Sequence, residues 1–205
     1  MNRREALRNA LWAVLVLTLL TTVGGGLLAR RERAPSLPRL GFVPTFEFTE
    51  RSGARVGARD LAGRPYVVDF IFTRCQLACP TLTSRLATIG RGLEEGRDFR
   101  RVSISVDPEH DTLAALAAFA EKHGAPAAWW FLRGELEVVH ELSRVGFRLG
   151  IEPDTGDPTN PIGHSSRFVL VDGTGQIRGY YDALELSEVA QLDTDLRRLI
   201  RAGGR

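Results

Sequence analysis

The sequence predicts an α/β fold in which helices cover both faces of a mixed β-sheet, preceded by one N-terminal transmembrane helix. Three observations support this prediction. An uncharged apolar run fills residues 10–29, and an almost wholly apolar, β-branched run (PYVVDFIF) fills residues 65–72. From there, strand-like and helix-like patterns alternate until a hairpin near the C-terminus. Alternation followed by a hairpin is typical of a mixed sheet with helices packed against it.

The apolar run at residues 10–29 carries no charge and has about the 20-residue length of a helix that spans a bilayer. A cleaved signal peptide is the alternative, although no small-residue cleavage pattern follows the run. Arginines flank it on both sides, so charge bias alone leaves its orientation open. Both interpretations place the globular domain on the extracytoplasmic (periplasmic) side of a bacterial cell membrane, in an oxidising compartment.

The elements that follow the leader are assigned from periodicity. Residues 46–49 alternate like a short strand, and residues 65–72 form a buried central strand because they are apolar on both faces. Residues 80–93 carry apolar side chains at helical spacing, which predicts a helix. Residues 101–106 (RVSISV) alternate and predict a second strand.

The C-terminal half continues the alternation. A helix is predicted over residues 112–123, with Asp111 as its N-cap, because Gly124 and Pro126 follow it. The DGTG stretch at residues 172–175 is typical of a hairpin turn. The further predicted elements are a strand at 129–132, a helix at 135–146, a loop at 150–163, hairpin strands at 167–171 and 176–181, and a closing helix at 186–201.

This order of elements matches a thioredoxin-like, three-layer fold. The expected globular part has roughly 160 residues, which is enough to bury a core without disulfide support. The chain is therefore divided into a short cytoplasmic N-terminus at 1–9, the transmembrane anchor (or signal peptide) at 10–29, a tether at 30–44, and the thioredoxin-like domain at 45–203.

Composition excludes two classes of protein. The net charge is only +2, and the basic residues are interleaved with acids along the chain, so no nucleic-acid-binding surface is expected. Two cysteines are too few for the disulfide framework of a small secreted domain, so they are expected to carry chemistry. The only methionine is Met1, so a site for a soft metal ion must be built from thiolate and imidazole.

Cys75 and Cys79 lie between the buried strand and the next helix, at the strand end where open α/β sheets place their ligand sites. The positive end of the helix favours thiolate, so the pKa of at least one thiol is expected to be low. Residues four apart point the same way on a helical turn, so the two sulfurs are able to share one soft ion such as Cu(I). They are also able to close into a disulfide.

His164 becomes a third candidate once its surroundings are included. Three motifs occur in order along the chain: FTRCQLACP at 72–80, SVDPEHDT at 105–112, and GHSSRFVLVDGTGQIRGYYD at 163–182. Together they resemble the SCO/SenC family of membrane-anchored, thioredoxin-like copper chaperones for cytochrome c oxidase assembly. The resemblance extends over about residues 41–199.

The resemblance implies that Cys75, Cys79 and His164 are the ligands of one copper ion, Cu(I) or Cu(II). It also implies that the protein delivers copper to the dinuclear copper site of cytochrome c oxidase, or reduces the cysteines of that site. The partners that it implies are the copper-bearing subunit of the oxidase or another copper chaperone.

Three positions depart from the family pattern. Gln76 and Leu77 stand between the cysteines, where many members carry Pro and Asp. Gly163 precedes the histidine, where some members carry Asp. The three implied ligands are intact, so these departures concern copper affinity, redox poise and the choice of partner.

An exported thiol–disulfide oxidoreductase with no copper-delivery role is the alternative function. In that mechanism Cys75 attacks a partner disulfide, and Cys79 resolves the mixed disulfide. A peroxidase, in which a cysteine of low pKa is oxidised to sulfenic acid, is a third possibility. Copper binding needs His164, whereas dithiol exchange does not.

The other polar candidates are interpreted as structural. Asp107 follows the second strand and is expected near the cysteines, because both loops leave the same edge of the sheet. His110 and His123 are interpreted as solvated residues at helix ends, and His140 as a satisfied or exposed helical residue.

Overall fold

The structure is a computed structural model that describes residues 5, 9, 11–22, 36–75, 79–152, 155–157 and 162–204. The chain forms two compact units, residues 1–36 and 37–205, which are described separately. In the first unit, residues 11–22 are helical and are labelled α1. Within the described residues, no helix combines the length and the apolar character needed to cross a membrane. The predicted anchor extends beyond α1 into residues that lie outside the described part of the chain.

The second unit is built on an eight-stranded sheet with the order β1-β10-β9-β4-β5-β6-β2-β3. Strands β4, β5 and β6 are parallel, and β9 pairs antiparallel with β4. The predicted mixed sheet is therefore confirmed. The strands are β1 (Gly41–Phe42), β2 (Glu47–Glu50), β3 (Arg55–Gly57), β4 (Tyr66–Ile71), β5 (Arg100–Ser105), β6 (Trp130–Arg133), β7 (Ile151–Glu152), β8 (Gly163–His164), β9 (Arg167–Val171) and β10 (Gln176–Asp182).

Strand β4 lies at the centre of the sheet because its side chains are apolar on both faces. All six of its residues are buried, as the sequence predicts. Burying one large apolar side chain stabilises a fold by about 1.5–3 kcal/mol, so this strand is a major part of the core. Asp69 is its one acidic residue and is also buried.

The helices of the second unit are α2 (Cys79–Leu86), α3 (Leu113–Lys122), α4 (Leu136–Glu141) and α5 (Leu186–Arg201). Helix α2 is shorter than the helix predicted over residues 80–93. After Leu86 the chain turns through Gly90, whose φ of +74° is a left-handed conformation that favours glycine. A Cβ at Gly90 would lie 2.3 Å from the ring of Phe99, so a helix with side chains cannot continue there.

Two other helix predictions are corrected in detail. The helix predicted over 135–146 consists of α4 followed by a π-helical turn, Leu142–Gly146. The N-cap of α3 is Thr112 and not Asp111, because the Thr112 side chain accepts a hydrogen bond from the Ala115 N–H at 3.1 Å. Asp111 instead binds the loop that carries the cysteines, as described below.

Four short strands are absent from the sequence-based prediction. Strands β1 and β3 pair with β10 and β2, while β7 and β8 pair with each other inside the predicted loop at 150–163. Residues 153–154 and 158–161 of that loop lie outside the described part of the chain. Because Leu37 is buried and β1 lies within the sheet, packing of the second unit reaches into the segment predicted as a tether.

Arg178 holds the N-terminal end of the second unit against β10. Its Nε and Nη2 donate to the carbonyl oxygens of Pro38 and Leu37 at 2.9 and 2.8 Å. Its Nη1 donates to Asp172 Oδ2 at 2.8 Å in a buried ion pair. The start of the unit is thereby fixed to the turn of the β9–β10 hairpin.

Candidate metal centre

The topology brings both cysteines and His164 to one end of the sheet. Cys75 follows β4, and Cys79 is the first residue of α2. His164 lies in β8, just before β9, and β9 is the antiparallel neighbour of β4. One ligand atom from each of these three residues lies within 4.8 Å of the other two.

The contacts between the three side chains are direct. Cys79 Sγ lies 3.4 Å from His164 Nε2, and the Cys79 N–H donates to Cys75 Sγ at 3.4 Å. The cysteine residues are 5% and 0% exposed, whereas His164 is half-buried. An incoming ion or partner thus has access to the site from the histidine side.

The orientation of the His164 ring fixes the nitrogen that faces the sulfurs. Nδ1 lies 3.1 Å from the carbonyl oxygen of Ser165, and a carbonyl only accepts, so Nδ1 carries the proton in the neutral ring. Nε2 then presents its lone pair to Cys79, as a metal-binding imidazole does. Phe72 packs edge-on against the ring, with the ring centroids 5.6 Å apart.

The thiol of Cys79 is held in its protonated form. Its hydrogen bond with Cys75 and its burial raise the pKa of Cys79 far above the ordinary range of a thiol. The sequence predicts a lowered pKa for at least one of the two thiols, and Cys79 is not that thiol, because burial and the neighbouring sulfur outweigh the helix dipole. A metal ion that binds here must displace this proton.

Asp111 supports the loop that leads to the cysteines. The N–H and Oγ1 of Thr73 donate to Asp111 Oδ1 at 3.1 and 2.6 Å, and Ser105 Oγ donates to Oδ2 at 2.5 Å. The carboxylate thus ties the end of β4 to the end of β5. Burial raises the pKa of Asp111, although these hydrogen bonds lower it in part.

Asp107 lies beside the cysteine loop, as expected, and is held by Arg74 and His110. Arg74 Nη2 and His110 Nδ1 lie 2.6 and 2.8 Å from its two carboxylate oxygens. Burial alone would raise the pKa of Asp107, but these hydrogen bonds outweigh burial and lower it. Arg74 is therefore fixed next to Cys75, which gives the surface of the site a positive group.

The other histidines do not join the ligand group. Among the residues that the structure describes, the metal-compatible group consists of the two cysteines and His164. His140 Nε2 lies 3.2 Å from the carbonyl oxygen of Val106, and His123 packs against Phe119. His110 Nδ1 lies 2.8 Å from Asp107 Oδ1.

Of the three positions that depart from the family pattern, the structure describes Gly163. Gln76 and Leu77 lie outside the described residues. At Gly163, a Cβ would lie 3.1 Å from Glu152 Cβ on the paired strand β7, so a side chain there requires Glu152 to shift by a few tenths of an ångström.

The sequence analysis does not single out Asp69, although an acid within an otherwise apolar strand is a visible signal. Its carboxyl accepts a hydrogen bond from Ser103 Oγ at 2.6 Å. Ser103 Oγ in turn accepts one from Trp129 Nε1 at 2.9 Å. This buried polar chain runs from β4 across β5 to Trp129, which directly precedes β6 of the eight-stranded sheet.

Together these features define a class: a thioredoxin-like protein whose paired thiols share a soft-metal or redox site with one imidazole. A family model described as SCO1/SenC matches residues 36–201. The chain belongs to the SCO1/SenC family, and the family resemblance found in the sequence is confirmed.

Three solved structures place the chain among its relatives. A SCO1/SenC family lipoprotein from Bacillus anthracis is 30% identical, with a TM-score of 0.72 over 80% of this chain and 99% of that chain. BsSco, described as a Sco family cytochrome c oxidase assembly protein with a disulfide switch, is 27% identical, with a TM-score of 0.71 over 82% and 99%. Bradyrhizobium japonicum ScoI with copper bound is 22% identical, with a TM-score of 0.61 over 77% and 99%, and this likeness shows the fold alone.

Proposed function

We propose that the protein is a copper chaperone that carries one copper ion, as cargo, on Cys75, Cys79 and His164. The observation that carries this proposal is the convergence of two sulfurs and one imidazole nitrogen within 4.8 Å. Thiolate and imidazole suit copper, and three such ligands suit trigonal Cu(I). Cu(II) would require a further ligand.

The proposed destination is the dinuclear copper site of cytochrome c oxidase, and the proposed partners are its copper-bearing subunit or another copper chaperone. This step is supported by the 27% identical relative described as a cytochrome c oxidase assembly protein. In transfer, thiolates of the partner displace the ligands one at a time, beginning at His164, which is the most accessible of the three. Alternatively, the Cys75–Cys79 dithiol would assist assembly by reducing the cysteines of the dinuclear copper site of the oxidase.

Thiol–disulfide exchange is the second candidate function. The hydrogen bond from the Cys79 N–H to Cys75 Sγ places the two cysteines side by side. The match with the relative that is described with a disulfide switch covers 82% of this chain at 27% identity. As an exported oxidoreductase, the protein would use Cys75 as the attacking thiol and Cys79 as the resolving thiol, and His164 would be dispensable.

The proposed location is the bacterial cell membrane, with a single-pass anchor at residues 10–29 and the domain on the extracytoplasmic side. The uncharged apolar run supports the single-pass anchor, and the B. anthracis relative, which is described as a lipoprotein, supports attachment to a membrane. The proposed segments are a cytoplasmic N-terminus at 1–9, a tether at 30–44 and the thioredoxin-like domain at 45–203, with the tether from Leu37 onward packed as part of the second unit.

A competitive Cu(I) titration of the reduced full-length chain against a colorimetric chelator tests the proposed copper site. The wild type is expected to bind one ion, Cys75→Ser to lose tight binding, and His164→Ala to lose about 100-fold or more in affinity, since even outer-shell changes cost 10–100-fold. His123→Ala, a histidine outside the site, is the matched control. Unchanged affinity in His164→Ala, with dithiol exchange against glutathione also unchanged, would favour the oxidoreductase instead.

A further inference from the structure

Asp69 is a buried acid whose presence is not explained by packing of the core. It lies in the middle of β4 and is 0% exposed. Its Oδ1 accepts a hydrogen bond from Ser103, its register partner on β5, while its Oδ2 has no hydrogen-bond partner among the described residues. Burying a carboxyl with an unpartnered oxygen is costly, and an apolar residue would fill a central strand at lower cost.

Two of the proposed copper ligands share the electrostatic environment of Asp69. Burial raises the pKa of Asp69 to about 7, and the hydrogen bond from Ser103 and the charge of His164 partly offset that rise. After the Cys75 hydrogen bond and burial, the charge of Asp69 also contributes to the raised pKa of Cys79. The topology explains this coupling, because β4 leads from Asp69 to the cysteines and the neighbouring strand β9 follows His164.

We propose that Asp69 tunes the charge of the copper site, so that its carboxylate favours Cu(II) over Cu(I) and lowers the reduction potential of bound copper. This inference rests on the proposed function. Two thiolates and a neutral imidazole give a net charge of about −1 with Cu(I) and about 0 with Cu(II). A buried carboxylate nearby therefore opposes addition of the electron. Even at about 10 Å and an effective dielectric of about 20, one unit charge changes such an equilibrium roughly tenfold.

The same network provides a signal that does not depend on copper. Trp129 is fully buried, and its Nε1 donates to Ser103 Oγ, which donates to Asp69 Oδ1. Ionisation of Asp69 strengthens this chain of hydrogen bonds and so changes the environment of the indole. In the copper-free protein, the emission of Trp129 is expected to change near pH 7, and Asp69→Asn is expected to abolish that transition.

The decisive experiment is a potentiometric titration of the copper-loaded full-length chain at pH 8, where Asp69 is ionised. Asp69→Asn is expected to shift the Cu(I)/Cu(II) equilibrium about tenfold toward Cu(I), a rise of about 59 mV for one electron. Ser103→Ala removes a donor that stabilises the carboxylate and is expected to give a smaller rise. Asp195→Asn is the matched control, because Asp195 is also buried with one oxygen that has no hydrogen bond among the described residues, but it lies on α5 beside Arg198.

Each outcome decides one proposal. If the wild type takes up no copper, the proposed function fails. If the wild type binds copper and Asp69→Asn changes the Cu(I)/Cu(II) equilibrium constant by less than twofold, the role of Asp69 is overturned and the proposed function stands. A wild-type protein without the Trp129 transition also overturns the inference, and this measurement remains available for Ser103→Ala if Asp69→Asn does not fold.

Discussion

The buried carboxyl of Asp69 predicts an unusual dependence of stability on pH. Its pKa is about 7 in the folded chain, against an ordinary value of 3.8. Because the folded-state pKa is raised, the stabilising effect of the bound proton is complete below about pH 4 and is lost as the pH rises through 7. A difference of about 3 pKa units corresponds to about 4 kcal/mol. The wild-type free energy of unfolding should therefore fall by up to that amount between pH 4 and pH 8.

Asp69→Asn removes the ionisation and should remove this fall. Urea unfolding of both proteins, followed by circular dichroism at pH 4.5, 6, 7 and 8, measures the difference in the free energy of unfolding at each pH. The variant should gain on the wild type as the pH rises, by up to about 4 kcal/mol, whereas Asp195→Asn should show no such gain. Parallel pH profiles for wild type and Asp69→Asn would refute the reasoning.

Two further predictions concern carboxylates that stabilise the fold, Asp111 beside the candidate site and Asp172 at the opposite end of β9. Asp111→Ala leaves three hydrogen-bond donors of Thr73 and Ser105 unpaired. Calorimetry should therefore show a free energy of unfolding lower by about 3 kcal/mol and a melting temperature lower by about 6–12 °C. Asp111→Asn should lose less. Equal stability of wild type and Asp111→Ala would contradict this role. The pKa of Asp172 is lowered because hydrogen bonds from Thr174 and Arg178 outweigh its burial, so its ion pair stabilises the fold above about pH 4 and is lost at lower pH. Asp172→Asn should cost about 3 kcal/mol at pH 7 and progressively less in urea titrations below pH 4; a loss that does not depend on pH would argue against the ion pair.

The sequence predicts those features that depend on long or chemically distinctive patterns. The apolar run of β4 identifies the centre of the sheet, because a strand buried on both faces must be apolar throughout. The cysteines follow it at a strand end where sites are expected. His164, in contrast, is 85 residues from Cys79, and only the family resemblance connects the two residues in the sequence.

The features that the sequence does not predict depend on tertiary contacts. Strands β1, β7 and β8 have two residues each, which is too short for any periodic pattern to appear. Helix α2 ends early because Phe99, which directly precedes β5, packs against Gly90. The raised pKa of Cys79 arises from burial and from Cys75, and neither effect is visible in a local reading that considers only the helix dipole.

The clamp that Arg178 forms fixes where the chain enters the second unit relative to the three candidate ligands. Leu37 and Pro38 are bound beside the hairpin turn, at the far end of β9 from His164. The five residues of β9 separate these two ends by about 16 Å. The chain therefore enters the second unit at one end of β9, whereas the three candidate ligands lie at the other end.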